Sequence, residues 1–126
     1  MTSSSYRMER VNELVREEVG RILLLESQDP RFVSVTVTGA KVTSDLNFAK
    51  VYVSILGTSE ERDSVLSALG KASGFVRRQL GQQVRMKRTP QLTFVYDESL
   101  ERANQIYKAL EGLDLGSEKP ETEETL

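Results

Sequence analysis

Two runs of alternating apolar and polar residues, joined by a short polar turn, constrain the fold of this 126-residue chain more than any other feature. Valine alternates with serine or threonine over residues 33–38, and the apolar phase shifts after Gly39, which indicates a bulge. Apolar residues again occupy every other position from Ala49 to Ile55. Residues 44–47, Ser-Asp-Leu-Asn, form a turn between the two runs. The sequence therefore predicts a β-hairpin with one buried face.

Helical patterns lie on both sides of the hairpin. Apolar residues recur at three- and four-residue spacing from Arg7 to Glu26. Asp29-Pro30 must end that helix, because a residue before proline avoids the helical conformation. A second apolar stripe begins after Thr58 or Ser59, either of which can cap a helix, and continues to Val84.

The remaining elements complete a two-layer fold. A third short strand follows Thr89-Pro90, and residues 98–113 are expected to form a last amphipathic helix. A strand that rejoins its sheet through a helical crossover usually does so in parallel. We therefore predict an α+β two-layer domain in the order helix-strand-strand-helix-kink-helix-strand-helix. Its three-stranded sheet is mixed, and helices cover one face.

Small residues interrupt the middle of the long second stripe. Gly70-Lys71-Ala72-Ser73-Gly74 weakens a helix there, so we predict two helices that meet at a break within residues 72–74. Such a break can serve a close crossing of backbones, which needs small side chains. Alternatively, a helix that starts at Gly74 presents free backbone N–H groups to a phosphate. The sequence leaves both interpretations open.

Neither cysteine nor histidine occurs in the chain. Their absence removes disulfides, the usual zinc ligands, the usual general base near neutral pH and the Ser-His-Asp arrangement. We therefore expect a protein that is not an enzyme and that needs no metal or cofactor. No apolar run approaches the length needed to cross a membrane, and the N-terminus is polar. This composition predicts a cytoplasmic protein with no membrane partner.

Charge is strongly segregated along the chain. Six acidic residues lie in the last sixteen positions, whereas residues 1–110 hold sixteen basic and thirteen acidic residues. Residues 64–96 contain six basic residues and no acid: Lys71, Arg77, Arg78, Arg85, Lys87 and Arg88. A solvated helix face is the simpler interpretation, but surface charges of one sign are usually interrupted by the other. We interpret the segment as a phosphate-binding surface.

The seven-residue spacing of Lys71, Arg78 and Arg85 would place them on one stripe of a continuous helix. Ala72, Ser73 and Gly74 would shape the surface beside them. Lys50 and Tyr52, on the side of their strand away from the apolar residues, are further candidates for RNA contact, although such residues are common on exposed strands.

This order of elements resembles the type II KH domain, whose Gly-x-x-Gly turn clamps a nucleic-acid backbone. The chain departs from that motif, because serine stands where the second glycine would be in Gly70-Lys71-Ala72-Ser73. Ala72-Ser73-Gly74 instead resembles the Ala-x-Gly kink of the ribosome-binding factor A family. Further motifs of that family appear in order between Tyr6 and Leu113. Among them are Asp29-Pro30-Arg31, Val42-Thr43-Ser44-Asp45-Leu46 and Arg88-Thr89-Pro90-Gln91-Leu92.

The resemblance implies a maturation factor that binds the small (30S) ribosomal subunit and its 16S rRNA precursor. It implies a role in late assembly and 5′-end processing of 16S rRNA, with a link to growth in the cold. Without the Gly-x-x-Gly motif, recognition of shape and phosphate is expected in place of single-strand clamping. A monomer is expected.

Two other classes of function compete with this interpretation. One is a protein-interaction module that docks an acidic partner, whose binding would survive ribonuclease treatment. The other is a small histidine-free enzyme that uses arginine and asparagine, but Asn12, Asn47 and Asn104 are widely separated in the sequence.

The chain is expected to comprise three regions. Residues 1–5 form a flexible N-terminus, residues 6–113 a KH-like RNA-binding domain, and residues 114–126 a disordered acidic tail. The tail could compete with RNA for the basic surface or could simply increase solubility.

Overall fold

A computed structural model describes residues 2–117 of the chain, which form three helices and one mixed three-stranded sheet. The elements are α1 (Thr2–Leu25), a 3-10 turn (Pro30–Ser34), β1 (Val35–Val42), β2 (Phe48–Ile55), α2 (Ser59–Gln83), β3 (Gln91–Tyr96) and α3 (Ser99–Ser117). The central strand, β2, is antiparallel to β1 and parallel to β3. The predicted α+β fold with a mixed sheet is confirmed. Residues 118–126, most of the predicted acidic tail, lie outside the described residues.

The β1–β2 hairpin has the predicted bulge. The strand register shifts between Val37 and Gly39, so the two pair with Val53 and Tyr52 respectively. In the turn, the Thr43 amide donates to the Phe48 carbonyl at 2.8 Å.

Val33 was wrongly predicted to lie in a strand. It belongs to the 3-10 turn and is 76% exposed. The Asp29 carboxylate accepts a hydrogen bond from the Arg31 amide at 3.0 Å, and Pro30 fixes the first residue of the turn. These two local features delay the start of β1 to Val35.

Helices α1 and α2 cover one face of the sheet. The side chains of Val15, Val19 and Ile22 in α1 are fully buried in the core. The Asn12 side-chain oxygen accepts a hydrogen bond from the Val42 amide at 2.9 Å, which ties α1 to β1. Helix α1 begins at Thr2, five residues before its predicted start.

The prediction of two helices separated by a break at residues 72–74 is wrong. One helix, α2, runs from Ser59 to Gln83, capped by a reciprocal pair of hydrogen bonds between Thr58 and Glu61. Leu69, Val76 and Leu80 are fully buried along one side of α2, on both sides of the small residues. A glycine in a helix interior costs only about 1 kcal/mol. Because burial of this apolar face outweighs that cost, the helix continues.

Helix α3 forms as predicted, but its apolar side is not buried against the domain. Ile106, Tyr107 and Leu110 are each more than half exposed. The start of the helix is fixed by Glu101, whose carboxylate accepts from both Arg62 and the Tyr96 hydroxyl at 3.0 Å. Among residues 2–117 no helix is both long and apolar enough to cross a membrane.

Candidate nucleic-acid interface

The solvent side of α2 combines glycines with basic side chains. Gly70, Gly74 and Gly81 are exposed and fall at spacings that put them on one side of the helix. A Cβ atom at Gly70 would meet no other atom within 4 Å, and one at Gly74 would meet only the Arg78 guanidinium at 3.7 Å. These two glycines therefore do not serve a close crossing within residues 2–117. They leave the helix backbone open to a ligand.

The continuous helix also excludes the second interpretation of the small residues. Because Gly74 lies inside α2, its amide is not one of the free N–H groups of a helix start. Ala72 and Ser73 are half-buried, and the Ser73 hydroxyl donates to the Gly70 carbonyl at 3.0 Å. Of the four central residues predicted to bind RNA, Lys71 and Gly74 thus face solvent, whereas Ala72 and Ser73 lie on the flank of the helix.

Lys71 also lines an open groove of about 500 Å³ between α2 and the segment that follows α1. Ala72 and Phe75 form its α2 side, and Asp29 and Phe32 lie on the opposite side. The groove carries both signs of charge. Lys71, at the edge of this groove, is the first basic residue of the acid-free segment. The other five lie further along α2 and in the loop that follows it.

The basic stripe is shorter than its spacing predicted. Lys71 and Arg78 are exposed on α2, but the helix ends at Gln83 and Val84 is already extended, with φ −124° and ψ 130°. Arg85 consequently lies in the loop between α2 and β3, together with Lys87. The predicted stripe holds for its first two residues only.

Two arginines hold that loop in place without losing their charge. The Arg77 guanidinium donates two hydrogen bonds to the Thr89 carbonyl, at 3.2 and 2.9 Å. The Arg88 guanidinium donates to the side-chain oxygen of Asn47 at 3.0 Å. Both acceptors are neutral, so neither hydrogen bond neutralises a positive charge. Each arginine thereby has a fixed position and an undiminished charge.

Some basic residues of the described chain pair with carboxylates, whereas those of the acid-free segment do not, nor do Arg7, Arg10, Lys41, Lys50 and Lys108. Five other arginines pair with carboxylates: Arg16, Arg21, Arg31, Arg62 and Arg102. Among the side chains that the structure describes, those of residues 6–99 and 101–112, none of the six basic residues of the acid-free segment forms a salt bridge. We call these six residues, Lys71, Arg77, Arg78, Arg85, Lys87 and Arg88, the basic surface. Its unneutralised charge suits it to bind a polyanion.

The carboxyl groups with perturbed pKa values have structural partners. Hydrogen bonds from Arg31 lower the pKa of Asp29, and the Thr38 hydroxyl lowers that of Asp97. Hydrogen bonds from the Thr43 hydroxyl and the Asn47 amide lower that of Asp45 in the hairpin turn. In the described part of the chain no group of three or more acidic side chains is placed to hold a metal ion.

Lys50 and Tyr52 lie on the sheet face opposite the helices, as predicted. Sequence reasoning missed Lys41, which is paired directly with Lys50 across the hairpin. The signal was present, because the bulge at Gly39 shifts the alternation and turns Lys41 to the same face as Lys50.

A mixed three-stranded sheet, covered on one face by two helices and flanked by a basic surface, defines a small α+β domain compatible with the KH-like class of RNA-binding domains. The family model for ribosome-binding factor A matches residues 7–110. The chain therefore belongs to the ribosome-binding factor A family.

Solved structures agree with this assignment. The crystal structure of ribosome-binding factor A from Thermus thermophilus superposes with a TM-score of 0.61 at 28% sequence identity. The match covers 71% of this chain and 94% of the Thermus thermophilus chain. A solution structure of a Thermotoga maritima protein described as a ribosome binding factor A is 28% identical, with a TM-score of 0.54 and coverage of 68% and 85%. A Thermus thermophilus RbfA homology model fitted into a cryo-EM map of a 30S–RbfA complex is 25% identical, with a TM-score of 0.58 and coverage of 69% and 91%.

Proposed function

We propose that this protein binds the small (30S) ribosomal subunit through its 16S rRNA and precursor, and that it assists late assembly and 5′-end processing without catalysis. The observation that carries the proposal is the basic surface, whose six cations have no acidic partner among the described side chains of residues 6–99 and 101–112. Membership of a family of ribosome-binding factors supports it. So does the fitting of a similar protein's model into a map of its complex with the 30S subunit.

The arrangement of the basic surface favours contact with phosphates. Arg77 and Arg88 are held by neutral oxygen atoms, and a guanidinium can still pair with a phosphate through its remaining N–H groups. Lys71 and Arg78 stand beside exposed glycines, where a phosphate backbone can approach the helix closely. Contacts of this kind position a protein on RNA by shape and charge and carry little information about base sequence.

Binding of this kind is sufficient for an assembly factor. A protein that prefers one conformation of the rRNA increases the population of that conformation by its difference in affinity. The 5′ end would then be processed because the bound RNA presents it correctly to a nuclease, with no chemical step on this chain.

Co-sedimentation with purified ribosomal subunits tests the proposal. We expect the full chain to sediment with small subunits and not with large ones, and to bind subunits that carry precursor 16S rRNA at least as well as mature ones. In precursor processing, the 5′ end should mature in proportion to the amount of protein added, up to one molecule per subunit.

Three results would contradict the proposal. Equal binding to large subunits would indicate attraction to RNA in general. Retention of the partner after ribonuclease digestion would favour an acidic protein as the ligand. Full processing at a small fraction of one molecule per subunit would point to turnover, which is the behaviour of an enzyme.

A further inference from the structure

The sheet face opposite α1 and α2 has a distinct chemistry. Its central strand places Phe48, Lys50 and Tyr52 on this face, while Ala49 and Val51 between them are buried on the other. Phe48 is 56% exposed, although phenylalanine is among the residue types most often buried. Lys41 of β1 joins the same face. The four residues Lys41, Phe48, Lys50 and Tyr52 are called the open-face cluster.

The two lysines of the open-face cluster are directly opposed. Lys41 and Lys50 are partners in the antiparallel register, so their Cβ atoms lie about 5 Å apart. Like charges in this position destabilise a sheet. On β1, β2 and β3 the other residues that point to this face carry no charge. Among the described side chains of residues 6–99 and 101–112, no acid forms a salt bridge with Lys41 or Lys50. The pair therefore suits an anionic ligand that lies across the two strands.

The aromatic residues flank that pair along the strand. Phe48, Lys50 and Tyr52 follow one another at two-residue steps, which are about 7 Å each in an extended strand. A platform of aromatic rings with cations between them is typical of proteins that bind unpaired nucleic-acid strands, because bases stack on the rings while phosphates contact the cations.

The open-face cluster continues into the basic surface. Arg88 donates to the Asn47 side chain, and the Asn47 carbonyl accepts from the Gln91 amide at 2.9 Å. Asn47 precedes Phe48, and Gln91 is the partner of Phe48 in β3. A cation of the basic surface is thereby fixed at the end of the sheet where Phe48 lies.

From this juxtaposition we propose that the open-face cluster is a second RNA site, which binds an unpaired strand by stacking on Phe48 and Tyr52 and by phosphate contact with Lys41 and Lys50. The inference rests on the proposed function and adds a substrate class to it. The basic surface contacts folded RNA, whereas the open sheet face holds a single strand. The aromatic rings favour RNA over an acidic protein segment, which would need only the lysines.

The absence of tryptophan from the chain makes a direct test feasible. In the full-length protein, Phe48→Trp introduces one fluorescent probe at the proposed site. Val33→Trp is the matched control, because Val33 is 76% exposed and lies near the opposite end of the hairpin. Each variant is titrated at low salt with a single-stranded oligouridylate of about twelve nucleotides, with an RNA duplex of equal charge, and with polyglutamate.

We expect the oligouridylate to quench the tryptophan at position 48 and leave that at position 33 unchanged. Adding Lys41→Gln and Lys50→Gln should weaken this binding roughly 10-fold. The fall of log affinity with log salt should also become shallower, by about 1.4. In a chain without the probe, Phe48→Ala should weaken binding of the oligouridylate roughly 5- to 150-fold, as expected from the loss of one stacked base.

Several results would overturn the inference. Absence of quenching at position 48, or equal quenching at position 33, would exclude a stacking site. Equal response to the duplex would exclude recognition of an unpaired strand, and equal affinity for polyglutamate would identify an acidic protein as the occupant.

A separate variant distinguishes this failure from failure of the proposed function. Lys71→Gln with Arg78→Gln should weaken binding to small subunits while the oligouridylate still quenches the tryptophan at position 48. If wild-type protein binds small subunits but the position-48 probe shows no quenching, only the second site is wrong. If it does not bind small subunits, the proposed function is wrong.

Discussion

Replacing Gly70 and Gly74 with alanine should stabilise the protein, because both lie in the interior of one continuous helix. Glycine in such a position is about 0.8 to 1.0 kcal/mol less favourable than alanine. Neither glycine has a positive φ, and a Cβ atom at either would meet no backbone of another element within 4 Å. No collision offsets the gain, so Gly70→Ala with Gly74→Ala should raise the free energy of unfolding by about 1.6 to 2 kcal/mol.

Urea unfolding followed by circular dichroism at 222 nm measures this change. With a slope of about 1 to 3 kcal/mol per molar urea, the midpoint should rise by about 0.5 to 2 M, and Tm by about 6 to 8 °C. Gly57→Ala is the opposing control. Gly57 has φ +130°, and its Cβ would lie 3.1 Å from the Glu61 Cβ, so that variant should lose more than about 1 kcal/mol.

A neutral or destabilising effect of Gly74→Ala would refute the continuous helix, because it would mean that this residue has a conformation which alanine does not tolerate. Binding supplies a second measurement. If phosphates approach α2 at the exposed glycines, the more stable double variant should bind small subunits less tightly. Unchanged affinity would place the RNA elsewhere on the basic surface.

Three further predictions concern stability. Thr58→Ala removes the hydroxyl that accepts from the Glu61 amide at 3.1 Å and should cost about 1 kcal/mol in urea unfolding, whereas Thr58→Ser should cost much less. In the same assay, Leu80→Ala in the buried core should lower the free energy of unfolding by about 3 to 5 kcal/mol. Leu24 is 64% exposed, so the control variant Leu24→Ala should lower it by less than about 0.5 kcal/mol. The hydrogen bond from the Thr38 hydroxyl lowers the pKa of Asp97 in the folded state. The ionised carboxylate therefore stabilises the fold above about pH 4, and this stabilisation is lost as the pH falls through the folded pKa. Unfolding free energy measured from about pH 6 to pH 2.5 should fall less steeply in Asp97→Asn, and an equal slope would contradict this assignment.

Local patterns predicted the elements of this fold. Of the two wrong predictions, the strand at Val33 failed because of the local turn at Asp29 and Pro30, and the break in α2 failed because of tertiary packing. The alternation of β1 and β2 depends on neighbouring residues, so the hairpin and its bulge at Gly39 could be predicted. The apparent break in α2 could not be judged locally. Helix propensity at residues 70–74 favoured a break, but Leu69 and Val76 are buried in the core because α2 packs against β3 and α1.

The candidate site, like the fold, could be predicted from the sequence only in part. Composition alone identified the acid-free segment and its six cations. It could not show that Arg77 and Arg88 also anchor the loop before β3, because their acceptors lie 12 and 41 residues away. Nor could it distinguish the exposed Gly74 from the half-buried Ser73, since that difference follows from the orientation of α2 on the sheet.

Affinity for purified small subunits across a salt series tests the central claim most directly. The variant Arg78→Gln, Arg85→Gln, Lys87→Gln removes three charges of the basic surface. Arg7→Gln, Arg102→Gln, Lys108→Gln removes three exposed charges of α1 and α3 as a control. With three to six phosphate contacts, wild-type affinity should fall roughly 20- to 1000-fold between about 50 and 200 mM salt.

The basic-surface variant should bind more weakly than wild type, with a slope of log affinity against log salt that is shallower by about 2 to 3, while the control keeps the wild-type slope. Saturable binding with equal slopes in all three proteins would contradict the account, because it would show that the basic surface does not contact the RNA.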